Sequence, residues 1–85
     1  MKVLIPSALR SYTGASQLEA DGATLAQLFV ELDRRYPGLR FRVVDEQGQL
    51  RANMRIFVNG LGVRDISHAL QAEDFVAIVL ALSGG

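Results

Sequence analysis

The side chains that could perform nucleophilic catalysis occur together in one short stretch of the sequence. Asp65, Ser67 and His68 lie within four positions. A catalytic triad needs a histidine that accepts from the nucleophile while a carboxylate orients it. Residues this close in the chain give poor geometry for that arrangement, and we interpret the segment as a polar loop. Glu73 and Asp74 are adjacent, so their carboxylates should point apart and cannot act as a pair.

The sequence also has few of the side chains that bind metals or cofactors. The sequence has no cysteine and one histidine, His68. Thiolate nucleophiles, disulfides and thiolate or multi-histidine metal sites are therefore excluded. The stretch Asn59–Gly62 lacks the spacing of a phosphate-binding loop. We predict no metal site, no bound cofactor and no active site of the chain's own.

The two C-terminal glycines, Gly84 and Gly85, are not explained by stability. Glycine loses the most backbone entropy when it is ordered, and it packs against nothing. The stretch before them, Phe75 to Leu82, contains no polar residue. A terminal carboxylate on a backbone without side chains suits insertion into another protein's site, whereas the plainer interpretation is an end disordered by chance.

Hydrophobic alternation and turn signals predict five strands and one main helix. The helix should begin at Thr24, which stands in capping-box spacing with Gln27, and end before Pro37-Gly38. Ser11–Gly14 is interpreted as a loop and Ser67–Leu70 as one helical turn. The predicted strands are Lys2–Ile5, Gln17–Ala20, Met54–Val58, Val63–Asp65 and Phe75–Leu82.

This order predicts an α+β domain, a mixed β-sheet with one main helix packed across one face. The first and last strands can pair in parallel because a helix lies between them in the chain. The predicted core, from the two periodicities, is Val3, Ile5, Leu25, Leu28, Phe29, Leu32, Ile56, Val58, Val76 and Ile78.

The opposite face of the sheet has no second helix to cover it. The side chains that alternate with the core are Leu4, Arg55, Phe57, Phe75 and Val79. Together they should form an exposed apolar patch beside the C-terminal tail. The connection Arg40–Ala52 folding over this face, or self-association through it, are two explanations. The third is a docking surface for partner proteins, with Phe57 and Phe75 as aromatic anchors.

Composition limits the partners. The chain has 85 residues, one small domain, with nine basic and nine acidic residues. A neutral domain lacks the basic surface that dominates nucleic-acid binding, so we expect no nucleic-acid partner. No apolar run reaches the roughly 18 residues of a membrane span, so we expect no membrane association. We expect a cytoplasmic protein that is monomeric or weakly self-associating.

Several short motifs, taken in order, resemble one known family. They are Val3-Leu4-Ile5, Gly22-Ala23-Thr24-Leu25, Arg35-Tyr36-Pro37-Gly38-Leu39, Ile56-Phe57-Val58-Asn59-Gly60, Asp74-Phe75-Val76-Ala77-Ile78 and the terminal Gly84-Gly85. Their order and spacing resemble the MoaD/ThiS family of ubiquitin-like sulfur carrier proteins. Ser7–Gly14 and Arg51–Gly60 are most similar to the branch that contains the cysteine-biosynthesis carrier.

The resemblance implies a ubiquitin-like β-grasp domain over residues 1–82 and a flexible tail over 83–85. It implies a carrier and not an enzyme, although such a chain can be the small subunit of a sulfur-transfer enzyme such as molybdopterin synthase. A ubiquitin-activating-like enzyme would use ATP and magnesium to adenylate the carboxylate of Gly85, with Gly84 giving flexibility. Sulfur would then replace AMP, and a sulfur-accepting biosynthetic enzyme would use the thiocarboxylate.

Partner identity stays open at this point. Leu82 and Ser83 would join the docking face, but Phe75, Leu80 and Ser83 depart from the residues that the family often has there. The sulfur could serve cysteine, molybdopterin, thiazole or another metabolite. The alternatives are a protein modifier conjugated through Gly85 and a non-catalytic β-grasp interaction module. Lys2 is the only lysine, which would limit lysine-linked chains of a modifier.

Overall fold

The structure is a computed structural model, and it describes residues 1–81. One five-stranded sheet has the order β2-β1-β5-β3-β4. The strands are β1 (Lys2–Leu4), β2 (Gln17–Glu19), β3 (Met54–Val58), β4 (Leu61–Val63) and β5 (Phe75–Leu80). The helices are α1 (Arg10–Thr13), which follows a 3-10 turn at Ser7–Leu9, α2 (Leu25–Arg35) and α3 (Leu39–Val43).

The sheet is mixed, as the sequence predicts. β1 pairs in parallel with β5, and Lys2 lies opposite Phe75. The pairs β1–β2, β3–β4 and β3–β5 are antiparallel. The strand latest in the sequence therefore lies at the centre of the sheet, bonded on both sides.

Helix α2 begins where its capping residues predict. The Thr24 hydroxyl accepts the backbone N–H of Gln27 at 3.2 Å. The Gln27 side chain reaches back to the backbone N–H of Ala23 at 3.3 Å, one residue before the usual capping-box partner. The first bond satisfies an amide that a helix leaves without a partner at its start, and the second ties the residue before the N-cap to the first turn.

The core lies between α2 and one face of the sheet, and all ten predicted core residues are buried. A further set of buried residues lies in the short elements, in the connections and at the start of β3. Its members are Leu9, Leu18, Ala20, Leu39, Val43, Val44, Leu50, Met54 and Leu70.

The short elements differ from the sequence prediction. The expected strand Val63–Asp65 is wrong, because the two-residue turn at Asn59 and Gly60 puts Leu61 directly opposite Val58 and starts β4 there. Ser67–Leu70 is not helical, and Ser11–Gly14 belongs largely to α1 instead of a loop. Capping interactions and tertiary contacts, which have no periodic signal, decide such short pieces.

Helix α3 was also absent from the prediction. Its first turn is stabilised from α2, because the Asp33 carboxylate accepts the backbone N–H groups of Gly38 and Arg40, both at 3.1 Å. Gly38 takes a φ of 95°, which glycine adopts without strain. Leu39 and Val43, four positions apart, are both buried.

Candidate functional site

The tail leaves the domain at the end of β5. Leu80 lies opposite Met54 in the sheet. The backbone N–H of Ala81 donates to the carbonyl of Asn53 at 2.7 Å. We call Leu80 and Ala81 the tail root. Four of the residues assigned to the site, Leu82, Ser83, Gly84 and Gly85, lie outside the described residues.

The other assigned residues share the sheet face that points away from α2, and they are Leu4, Arg55, Phe57, Phe75 and Val79. We call this the outer face, and Ala77 lies on it as well. The relative accessibilities of Leu4, Phe75 and Val79 are 36%, 44% and 38%. Arg55 is exposed, and Phe57 is half-buried. The neighbours on the core face of the same strands, such as Val76 and Ile78, are buried.

Strand register places these side chains in rows across the outer face. Leu4 and Phe57 lie on either side of Ala77, so two large apolar side chains flank a small one. Beyond Phe57 lies Gly62, where an added Cβ would stand in ordinary contact with the Phe57 ring, at 3.7 Å. The middle of the outer face is therefore a shallow apolar surface with an aromatic ring at one side.

The patch is not all beside the tail root. Val79 and its cross-strand partner Arg55 lie next to it. Phe75 begins β5, and five residues of strand at about 3.3 Å each put it about 17 Å from Leu80. The aromatic ring of Phe57, opposite Ala77, lies between these two ends.

The Arg40–Ala52 connection does not cover the outer face, and that explanation of the patch is wrong. Helix α3 packs against α2. Val43, Val44 and Leu50 from the connection are buried in the core. The Arg40–Ala52 connection packs against the core instead. Its apolar residues are removed from water more completely there than they would be on the flat surface of the sheet.

An exposed hydrogen-bond network holds the start of β5. The Asp74 carboxylate accepts the backbone N–H of Gln71 and the side-chain amide of Asn59, both at 2.8 Å. The side-chain Oδ1 of Asn59 in turn accepts the backbone N–H of Phe75 at 2.9 Å. The Gln71 amide first, and then the Asn59 amide, hold the pKa of Asp74 below its ordinary value. The network holds the β3–β4 turn against Asp74 and Phe75 at the start of β5.

The triplet at 65–68 has the hydrogen bonds of a turn. The Ser67 hydroxyl donates to the Asp65 carboxylate at 2.7 Å, and the Ser67 backbone N–H donates to the same oxygen at 2.9 Å. The hydroxyl first, and then the amide, lower the pKa of Asp65. A nucleophilic serine would donate to His68 instead. Among residues 1–81 no group of three or more potential metal ligands occurs.

The sequence did not indicate one set of hydrogen bonds, which the Arg64 guanidinium makes to the backbone. It donates to the carbonyls of Met54, Leu50 and Arg51 at 3.1 to 3.3 Å. This arginine follows β4 and holds the chain that leads into β3. Its partners are backbone atoms from distant positions, so no local pattern could have indicated them.

In the described part of the chain, no helix has the length and apolar character needed to cross a bilayer. A family model described as the ThiS family matches residues 3–85. The sulfur carrier protein CysO of Mycobacterium tuberculosis (strain H37Rv) is 34% identical over 89 residues, covering 98% of this chain and 96% of the relative.

Solved structures agree. CysO in the Amycolatopsis orientalis BexX/CysO complex superimposes with a TM-score of 0.91 at 31% identity, covering 99% of this chain and 98% of that one. Small archaeal modifier protein 1 of Methanosarcina acetivorans gives 0.81 at 26% identity, covering 99% and 94%. With this sheet, helix and full-length match, the chain belongs to the ThiS family: it has the ubiquitin-like β-grasp fold and is a sulfur carrier, not a catalyst.

Proposed function

We propose that this carrier holds sulfur as a thiocarboxylate on Gly85. The observation that supports this most is the extent of the family match, which runs from residue 3 to residue 85 and so includes the final Gly84-Gly85 pair. The fold contributes a rigid base, because β5 is paired on both sides and Ala81 is bonded to Asn53.

The chemistry explains why a partner enzyme and ATP are needed. An α-carboxylate has a pKa of about 3.5 and is ionised at neutral pH, so it is a poor electrophile. In the proposed reaction its oxygen attacks the α-phosphorus of ATP in a ubiquitin-activating-like enzyme, and pyrophosphate leaves. A sulfur nucleophile at the oxidation level of sulfide then attacks the acyl carbon and expels AMP. The product is an anionic sulfur that requires no cysteine, and the ATP and magnesium belong to the partner.

The outer face is the proposed docking surface for the activating enzyme and for the sulfur-accepting enzyme. Leu4, Phe57, Phe75 and Val79 supply apolar area, and Arg55 supplies a charge. The proposal extends this surface to Leu82 and Ser83 next to the tail root. Because activation consumes ATP, the proposed compartment is the cytoplasm.

The test is intact mass after incubation with the activating enzyme, magnesium-ATP and a sulfide donor. We expect one oxygen-for-sulfur exchange at the C-terminus. Deleting Gly85 should lower thiocarboxylate formation by about a hundredfold or more, because the reacting carbon is then misplaced by one residue. The control is Val30→Ala on the exposed side of α2, which leaves the tail and the outer face unchanged and should react normally.

Both variants should melt like the parent chain. Normal pyrophosphate exchange by the chain that lacks Gly85 would contradict the proposal. An unchanged mass of this chain, obtained with an activating enzyme that modifies its cognate carrier under the same conditions, would contradict it as well.

A second candidate function is protein modification, and the likeness to small archaeal modifier protein 1 favours it as the alternative. A modifier would join Gly85 to an amine of another protein. The same mass experiment with a cell extract distinguishes the two functions. A species in which this chain is joined to a second protein by an amide bond indicates modification, and a thiocarboxylate alone indicates sulfur transfer.

A further inference from the structure

A groove of about 310 Å³ lies beside the tail root, on the side of the domain that carries α3. Leu80, Ala8 and Phe41 contribute its accessible apolar surface, and Arg42 and Arg51 line it as well. Leu80 is half-buried, and the Phe41 ring is 54% exposed. We call this the arginine groove. It is a separate surface from the outer face, since Leu80 alternates with Val79 along β5.

The groove is positively charged, and no carboxylate lines it within the described chain. Arg51 is held in place without being neutralised, because its Nε donates to the Phe41 carbonyl at 2.7 Å and its guanidinium carbon lies 4.5 Å from the centre of the Phe41 ring. The Arg42 side chain makes no hydrogen bond or ion pair with residues 1–81 and is exposed.

The acidic residues of the described chain form their ion pairs elsewhere. Glu19 and Asp21 pair with the N-terminal amine, and Glu31 pairs with Arg34. On the outer face beside the tail root, the Arg55 guanidinium, like that of Arg51, bonds only to backbone carbonyls, those of Ala52 and Met54. The tail root is therefore bordered by three guanidinium groups without an acidic partner in residues 1–81.

The length of the tail determines what must come near this groove. Four residues follow Ala81 in the sequence, and they span at most about 14 Å when extended. A protein that receives the end of the tail in its own site must therefore approach the tail root closely. Its surface around the entrance to that site then faces the arginine groove.

We propose that the arginine groove binds an acidic segment, containing at least one apolar side chain, of the protein that receives the tail. This inference rests on the proposed function for the identity of that protein. Guanidinium groups bind carboxylates through paired charge-assisted hydrogen bonds. The Phe41 carbonyl and ring hold the Arg51 guanidinium in place before binding, which lowers the entropy cost of binding. The apolar surface at Leu80 and Ala8 receives the apolar side chain.

The probe is a capped pentapeptide with one leucine between two pairs of glutamates, titrated into the full chain and followed by NMR. We expect saturable shifts at Arg42, Arg51 and Leu80 that weaken as salt rises. Arg42→Gln/Arg51→Gln should lower the peptide affinity by about tenfold or more, the effect of losing charge-assisted hydrogen bonds. Arg34→Gln/Arg35→Gln removes the same charge from α2 and should leave the affinity unchanged.

Arg42→Gln alone keeps the Arg51 contacts and covers the case in which the double variant unfolds, and its expected loss is about threefold or more. A peptide with glutamine in place of glutamate should not bind. Shifts spread equally over Arg34 and Arg35, or no saturable shift in the groove, would overturn the inference. Thiocarboxylate formation without peptide binding would reject the groove alone, whereas peptide binding without thiocarboxylate formation would reject the proposed function alone.

Discussion

The two faces of the sheet are built from the same strands but meet different surroundings. On the core face, Val3, Val76 and Ile78 are covered by α2 and the chain that follows it. On the outer face, Leu4, Phe75 and Val79 alternate with them and are left exposed. Both faces are rich in apolar side chains, so hydrophobicity alone does not distinguish them. Residues 1–81 supply a cover for one face only, and the apolar area of the other is exposed in this part of the chain.

The largest expected effect is on the core side. Leu28→Ala should lower the free energy of unfolding by about 2–5 kcal/mol, because it removes a fully buried side chain and leaves a cavity. Urea melts measure it. The matched control is Val30→Ala on the same helix, where the side chain is 58% exposed and the change should stay within about 0.5 kcal/mol. Equal losses in both variants would mean that the two sides of α2 are not distinguished as described.

A smaller effect, of another kind, is expected on the outer face. Phe57→Ala and Phe75→Ala should each weaken binding of the activating enzyme by about 1–3 kcal/mol. The cost in stability should be below about 1 kcal/mol for exposed Phe75 and larger for half-buried Phe57. Calorimetric titration and urea melts of the same variants measure the two quantities.

The matched control for these variants is Leu61→Ala, on the edge strand β4 and 65% exposed. Its register opposite Val58 puts it on the other side of the sheet. Unchanged binding by both phenylalanine variants, with a large loss of stability, would show that these rings belong to the core.

The smallest expected effect is a pH dependence at the end of the outer face. The pKa of Asp74 is lowered in the folded state, so its contribution to stability is present above the unfolded-state pKa of about 3.9 and is lost as the pH falls through the folded value. NMR titration of the carboxyl carbon should place the midpoint below 3.9.

Asp74→Asn is the control, because it should remove this part of the acid dependence while the rest of the melt stays as in the parent chain. A midpoint at or above the ordinary aspartate value would show that the bonds from Gln71 and Asn59 do not persist in solution.

The sequence predicted the strands and the helix in which hydrophobic residues recur at regular spacing. Alternation in the strands and the spacing of Leu25, Leu28 and Leu32 identified ten of the buried residues, but not the full order of the strands in the sheet. The parallel pairing of β1 with β5 followed from topology alone. Helix α3 was missed because the Asp33 carboxylate that caps it lies on another helix.

The candidate site was predictable to a different degree. Alternation correctly placed Leu4, Phe75 and Val79 on the outer face. The route of the Arg40–Ala52 connection decided whether that face stayed open, and nothing local in its arginine-rich sequence indicated which side it would take. The arginine groove arises from residues of four separate segments, so it becomes visible only when the fold brings them together.

The central position of β5 also affects the order in which the protein can fold. The hairpin of β1 with β2 and the helix α2 depend on contacts that are local in the chain and can form early. The pairing of Lys2 with Phe75 must close a loop that includes most of the chain, and its entropy cost makes it a slow step. During synthesis β1 and β3 therefore lack their shared neighbour until β5 is made, and the domain completes its sheet only when the strand that carries the tail is present.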